Sequence, residues 1–405
     1  MRRSLNREKL RALTYIVGDE DILAAMPDAS PRAPFDDGVL AFLQSWSKKL
    51  MADARARQYP DVVTFGFWLR KSNLLRLKEQ YLHTSEGVRP IGRGMAFHIA
   101  PSNVPINYAY SLVTGLLTGN ANVVKIPSKP FEQVELVNRA LAECLAEDEA
   151  MGPYIVLVRY GHERDVNDAL SEYADARIVW GGDRTIAELK RSPMQARAVE
   201  ISFADRYSLA VIDSDCYLAQ EDKKRAANDF YNDTYLTDQN ACTSPRAVIW
   251  TGSRAEEARE RFWSELHALV AAKYPFQAVQ AVNKLTSAYL TAAGYEGVRK
   301  AASEDNLIVR MELERLDDSV MDFKDNSGYF FEYTCRDIKE LRALCDNTHC
   351  QTVSYIGDKA MFDELLALGL RGVDRIVPIG QTMDFELVWD GYDLVERLTR
   401  SVRIR

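Results

Sequence analysis

Residues 95–126 read MAFHIAPSNVPINYAYSLVTGLLTGNANVVKI. Met95 to Ala100 is a short apolar run that Pro101 ends, because proline has no N–H to give to a sheet ladder. Residues 106–119 stay apolar over the length of a helix, and Ala121 to Ile126 is a second apolar run closed by Pro127. Strand, helix and strand in one stretch form a βαβ unit, whose right-handed crossover leaves its two strands parallel. The stretch predicts an α/β fold built on a parallel sheet.

The same alternation runs outward on the C-terminal side. FEQVELVNRALAECLAED (131–148) places Phe131, Val134, Val137, Leu141 and Leu145 on one helical face. Then come PYIVLVRY (153–160) as strand, ERDVNDALSEYA (163–174) as helix, ARIVW (176–180) as strand and RTIAELKR (184–191) as helix. A second set begins with SLAVID (208–213) and RAVIW (246–250) and runs to QTVSYIG (351–357) and DRIVPIG (374–380). The reading is two α/β domains with parallel sheets. Residues 1–205 hold a helical, charged lead-in (1–90, with Leu10, Leu13 and Ile16 among its apolar positions) and the first domain, and residues 206–385 hold the second. Residues 386–405, the helix LVERLTR and the strand VRIR, return to the first domain or form an oligomer interface.

Composition narrows the function. With 405 residues, 47% hydrophobic and 27% charged, the chain can bury a large core without staples. A net charge of -8 argues against nucleic acid or an anionic membrane as partner. No run approaches a spanning helix, and MRRSLNREKLRAL has no apolar signal region, so neither membrane insertion nor export is expected. The six cysteines show no CxxC and no framework spacing, which fits a reducing cytoplasm.

Common nucleotide motifs are missing. GRGMAF lacks its third glycine and precedes a strand, and GNANVVK lacks the second glycine and the hydroxyl of a phosphate loop. Cys345, His349 and Cys350, with Cys335 upstream, match no zinc spacing and read as core thiols, so no metal is expected. His98, inside an apolar strand, reads as a hydrogen-bonded core histidine, and His162 opens a loop. Cys242 differs. TDQNACTSPR (237–246) puts it in a polar turn before a strand, where backbone amides can face a reacting oxygen. Taken alone, that stretch leaves a nucleophile and a structural thiol equally open. Asn103, between Pro101 and Pro105, is either a rigidly presented oxyanion donor or an ordinary turn residue.

Together, in this order, these pieces resemble the aldehyde dehydrogenase superfamily. The shared pieces are Pro101-Ser102-Asn103-Val104-Pro105, Gly119-Asn120 to Lys125, Trp180-Gly181-Gly182 and Gln239-Asn240-Ala241-Cys242. DQNACTSPR, FGFWLRKSNL and GVDRIVPIGQTMDFELVWDGYDLVERL bring the chain nearer to the acyl-CoA reductase family typified by the fatty acid reductase of bacterial luminescence. The resemblance thins between residues 253 and 325. It implies an aldehyde dehydrogenase-like fold and an acyl-CoA reductase that makes an aldehyde through an acyl-Cys242 intermediate, with Asn103 and the Cys242 N–H on the oxyanion. It further implies that Lys125 binds the adenosine ribose side of a dinucleotide and that the Gly181-Gly182 turn closes on it.

Ser128, three residues after that lysine, and Lys129 stand where many NAD-preferring relatives have a carboxylate, so NADPH is the expected cofactor. Glu200, in VEISF, is either the general base of the hydrolytic relatives or a solvated strand-end carboxylate. The same cysteine would equally serve an aldehyde dehydrogenase or an acyl-phosphate reductase. A further alternative is an acyl-accepting subunit that works only with an acyl ligase. Expected partners are acyl-CoA, of medium or long chain, or an acyl group handed over by a ligase, and a homo-oligomer is expected from family habit. Phe65, Phe67, Trp68, Tyr108 and Tyr110 are either core or the wall of an acyl tunnel.

Overall fold

The computed structural model describes residues 7–83, 86–101 and 104–405. Its contacts divide the chain into two units, residues 1–204 with 385–405, and residues 205–384.

The first unit is a six-stranded sheet. In chain order its strands are β1 (Thr14–Val17), β3 (Met95–Ile99), β4 (Ala121–Lys125), β5 (Ile155–Arg159), β6 (Ala176–Trp180) and β7 (Val199–Phe203), while β2 (Val88–Gly92) stands outside it. The spatial order is β1-β5-β4-β3-β6-β7, parallel throughout except for β1, which pairs antiparallel with β5. Every residue of β3 and of β6 is buried, as expected for parallel strands covered on both faces. The strand period of two divides β3 between the faces. Ala96 meets the Asn107–Leu117 and Glu132–Glu147 helices, and Met95, Phe97 and Ile99 meet the Arg164–Tyr173 and Asp183–Leu189 helices.

The lead-in is part of this core. Phe42, Trp46, Phe65 and Leu74, from the Asp37–Ala52, Pro60–Trp68 and Lys71–Tyr81 helices, are buried with Leu112 and Leu141. Residues 14–17 correct the helical reading of this region. TYIV is an edge strand, which suits its β-branched and aromatic side chains. At the other end, β17 (Thr399–Arg403) pairs antiparallel with β2 of the same chain, Thr399 opposite Gly92 and Arg403 opposite Val88.

The second unit repeats the design. Its strands are β8 (Tyr207–Asp213), β9 (Pro245–Thr251), β10 (Val298–Lys300), β11 (Val309–Leu313), β12 (Tyr329–Thr334), β13 (Cys350–Ile356) and β14 (Arg375–Pro378), in the order β10-β11-β12-β9-β8-β13-β14. Only β10 is antiparallel to its neighbour.

In the first unit the chain steps from β3 to β4 to β5 on one side, then crosses back to lay β6 and β7 on the other. That reversal makes a topological switch point at the carboxyl ends of β3 and β6, the place where open α/β sheets leave a crevice for ligands.

Candidate active site

Cys242 sits in the turn between the short Tyr235–Thr237 helix and β9. From Ala241 to Trp250 every other residue is buried, so Cys242 alone in this stretch reaches the surface. The turn is strained and firmly held. Asp238 and Gln239 both have φ of 53°, a left-handed conformation that costs a non-glycine residue on the order of 1 kcal/mol. The Gln239 side chain, fully buried, is the clamp. Its Nε2 donates to the carbonyls of Pro245 (3.1 Å) and Tyr329 (3.3 Å), and its Oε1 accepts from the N–H groups of Gly328 (2.7 Å) and Tyr329 (3.0 Å).

Arg246 is the second clamp. Its guanidinium donates to the carbonyl of Asp325 (2.7 Å), to Asn326 Oδ1 (2.6 Å) and to the carbonyl of Gln239. Asn326 in turn donates to Asn240 Oδ1 (3.0 Å). The facing turn, Asp325-Asn326-Ser327-Gly328, therefore forms one wall of the cysteine turn. Gly328 has φ of +87°, and a Cβ there would come within 2.1 Å of the Tyr235 hydroxyl, so only glycine fits.

A second wall comes from residues 380–383. Asp233 accepts from Gly380 N (2.7 Å) and Thr382 N (3.1 Å), and Thr243, next to Cys242, donates to Met383 Sδ at 3.2 Å. Burial pushes the Asp233 carboxyl up to about 7, against the pull of those N–H groups.

Four of the other thiols are held in the neutral form. Burial raises Cys144 to about 11 and Cys335 to about 12, and a hydrogen bond with Cys345, aided by burial, pushes Cys350 up. Cys216 is exposed, but it too is raised, by partial burial and by Asp213, Asp215 and Asp358 around it. Cys242 instead interacts with a cation. Burial lowers Arg246 to about 10, opposed by Asp205, Asp325, Cys242 and Asp238, so the guanidinium stays charged at neutral pH. The Cys242 carbonyl accepts from Ser208 Oγ at 2.7 Å, which fixes the backbone at the thiol.

In the first unit, Lys125 ends β4 and Trp180-Gly181-Gly182 ends β6, on either side of β3 and at the same carboxyl edge. The Lys125 ammonium donates to the Gly161 carbonyl (2.6 Å) and lies 4.0 Å from the Tyr160 ring centre, and burial draws its pKa down. Ser128 and Lys129 are exposed in the loop after β4. Asn103 lies outside the described residues. Glu200 is not at this edge. It is the second residue of β7, in register with Arg177, the second residue of β6, and its carboxylate accepts from Arg177 Nε at 2.7 Å. The geometry therefore places Glu200 towards the amino end of the sheet, in an ion pair. His98 is fully buried with both ring nitrogens hydrogen-bonded, to Ser111 Oγ (2.8 Å) and Asn122 Oδ1 (3.0 Å). Phe65 and Tyr108 are core, while Phe67 is exposed. Among the described residues, no three His, Cys, Asp or Glu side chains gather as metal ligands.

Comparison with known proteins supplies the lineage. A sequence model of the family described as acyl-CoA reductase (LuxC) matches residues 75–310, more than half of the chain. The chain belongs to that family. It is 26% identical over 319 residues to the long-chain acyl-protein thioester reductase of Aliivibrio fischeri, covering 77% of this chain and 63% of that protein. It is 24% identical over 329 residues to the protein of the same description from Vibrio harveyi, covering 78% and 64%. The chain thus spans a little under two thirds of the length of these curated relatives. Among solved structures, 1-pyrroline-5-carboxylate dehydrogenase from Thermus thermophilus superposes with a TM-score of 0.64 at 12% identity, over 96% of this chain and 86% of that one. An NAD-dependent benzaldehyde dehydrogenase from Corynebacterium glutamicum gives 0.62 at 15%, over 94% and 89%. The family's fold is that of the aldehyde dehydrogenases.

Sequence reading alone missed Arg246, the 325–328 turn and Asp233. The signal for the turn was present, since Asp-Asn-Ser-Gly is turn chemistry. Nothing in the sequence showed that it would face the cysteine.

Proposed function

We propose that this chain is an NADPH-dependent acyl thioester reductase that releases an aldehyde. The observation that carries the reading is the Cys242 turn: one surface-reaching thiol on a strained, clamped backbone, with a buried guanidinium beside it. The Cys242 thiolate attacks the acyl carbon and expels the donor thiolate, which leaves an acyl-cysteine. The Cys242 N–H would hold the oxyanion. A reduced nicotinamide dinucleotide, when bound, supplies the hydride that turns the acyl-cysteine into a thiohemiacetal. Cys242 then leaves as thiolate as the hydroxyl loses its proton and the aldehyde departs.

Gly182 supports a dinucleotide at the carboxyl edge. Its φ of -68° is open to any residue, and a Cβ there would meet nothing of the chain within 4 Å. The protein itself does not require glycine at this position, whereas a ligand in close contact with the turn would. Lys125 would hold the ribose, and Ser128 with Lys129 would favour a 2′-phosphate over bare hydroxyls. Glu200, held by Arg177, acts as a structural partner, and that suits a reductase, in which an activated water would waste the acyl-enzyme. The reading places the enzyme in the cytoplasm.

The relatives' description points to a protein as acyl donor, and the family description to coenzyme A. Both donors offer Cys242 the same thioester. The test is NADPH and NADH oxidation by the purified chain against acyl-CoAs of rising length and an acylated protein, beside Cys242→Ala. We expect acyl-dependent oxidation, at least tenfold higher kcat/KM with NADPH, loss of activity in the variant, and thiol release before any NADPH is added. Activity that survives in Cys242→Ala would overturn the mechanism. Equal kcat/KM for the two cofactors would overturn the assignment of Ser128 and Lys129.

A further inference from the structure

The Ala278–Gly294 helix, AVQAVNKLTSAYLTAAG, is built inside out. A surface helix of a globular protein normally turns its apolar stripe inward and its charges to water. Here the one charged residue in 17, Lys284, is fully buried, and the large apolar side chains face outward. Val279, Val282, Leu285, Tyr289 and Leu290 are 57, 62, 38, 68 and 59% exposed. They are five of the eleven large exposed hydrophobics among the described residues, gathered on this one element. At 3.6 residues per turn the five span an arc of about 140°, with Lys284 on the opposite side.

The helix cannot roll to hide that arc, because its inner face is bolted down by polar bonds. Lys284 Nζ donates to the carbonyls of Leu307 (3.1 Å) and Ser327 (2.5 Å), and Gln280 Nε2 donates to Asp238 Oδ1 (3.2 Å). Ser287 Oγ donates to Asp325 Oδ2 (2.6 Å), and the Thr291 and Tyr329 hydroxyls bond at 2.7 Å. A rotation that buried Val282 would strip these bonds and carry a lysine out of its site. The apolar arc is therefore a fixed feature of the surface.

We infer that this face is an interface between two copies of the chain, packed helix against helix across a twofold axis. Two arguments select a second copy. The first is charge. At a net -8, most approaches of one copy to another set like charges together, but the outer face of this helix carries no charge, so it meets its own image without repulsion or buried ions. The second is area. The five side chains expose on the order of 500 Å² on one copy, so two copies bury on the order of 1,000 Å², the threshold for a specific interface. An antiparallel pairing with the axis passing near Leu285 sets Val282 of one copy against Tyr289 of the other and the reverse, as an isologous contact demands. Ala278, Ala292 and Ala293 let the ends of the helices approach closely.

The test is the mass of the purified full chain in solution, by light scattering and sedimentation from about 1 to 100 μM, for the natural sequence, Val282→Glu and Tyr289→Lys. Both substituted positions are at the surface, so circular dichroism should stay unchanged. The natural chain is expected as a dimer or a multiple of it. Each variant should halve that mass, with a dissociation constant raised about 100-fold or more. A natural chain that is monomeric at 100 μM overturns the proposal. So does an assembly whose mass neither variant changes, or a monomer that uses this face to bind vesicles or a different protein.

Discussion

His98 shows how much one buried side chain can settle. Indole only donates, so Trp180 Nε1 gives its hydrogen to Ser111 Oγ at 3.2 Å. Asn122 Nδ2 is already donating to the Asn120 carbonyl at 2.7 Å, so Asn122 Oδ1 must accept, and the His98 proton sits on Nε2. Ser111 then donates to Nδ1, and the chain of bonds closes with a neutral imidazole. Burial accordingly lowers the His98 pKa to about 4. Because the folded pKa lies below the unfolded value near 6.5, the unfolded chain takes up the proton first as pH falls. Stability is complete above about pH 6.5 and declines towards pH 4, by on the order of 3 kcal/mol from this residue. Denaturant titrations at pH 7 and 4.5 should show a shallower acid loss in His98→Gln than in the natural chain. An identical loss would mean that His98 is not the sensor. Glu200 teaches the opposite lesson. Its neighbours in sequence suggested either a base or a free strand end, and its actual partner, Arg177, lies one strand away, in register.

At the scale of elements, the Cys242 turn rests on contacts from three distant segments. The sequence marks residues 237–246 as a polar turn running into the strand RAVIW, and β9 begins one residue ahead of that strand, at Pro245. It does not reveal that Gln239 would be swallowed whole and used as a clamp. Gln239→Leu should be costly, since it strands the N–H groups of Gly328 and Tyr329 beside an apolar side chain. We expect a loss of about 2–6 kcal/mol in stability, at 1–3 kcal/mol for each of the two N–H groups left unpaired. Activity should fall further than the folded fraction does, because the left-handed backbone at Asp238 and Gln239 loses its hold. Gln239→Glu keeps the acceptor and should restore part of the stability. Chemical unfolding with activity measured on the folded fraction separates the two effects, and a variant of normal stability would show that the clamp is dispensable.

For the whole molecule, the last strand is the informative piece. The five-residue ladder between β17 and β2 continues with Ile404 N donating to the Gly87 carbonyl at 2.7 Å, and Asn120 Nδ2 donates to the Leu398 carbonyl at 3.0 Å just before it. Residues 400–405 are exposed, so their contribution is chiefly the ladder. Ending the chain after Thr399 should cost about 3 kcal/mol, at roughly 1 kcal/mol net for each lost bond, and lower the unfolding midpoint. An unchanged midpoint would mean that β17 adds nothing to the fold.

The sequence by itself determined the family, through the order of its motifs, and the α/β class and parallel strands, because those last two follow from local period: apolar runs of strand length, apolar faces of helix length, and breakers between them. Residues 95–126 carry that information almost alone. Only the tertiary structure decided which side chains meet. The Arg177 to Glu200 pairing, the 325–328 turn against Cys242, β17 on β2 and the outward apolar face of the Ala278–Gly294 helix all join residues far apart in the chain, or turn a helix against its own pattern. Local propensity cannot encode such choices, because the free energy that makes them comes from burying and pairing groups that become neighbours only when the chain closes.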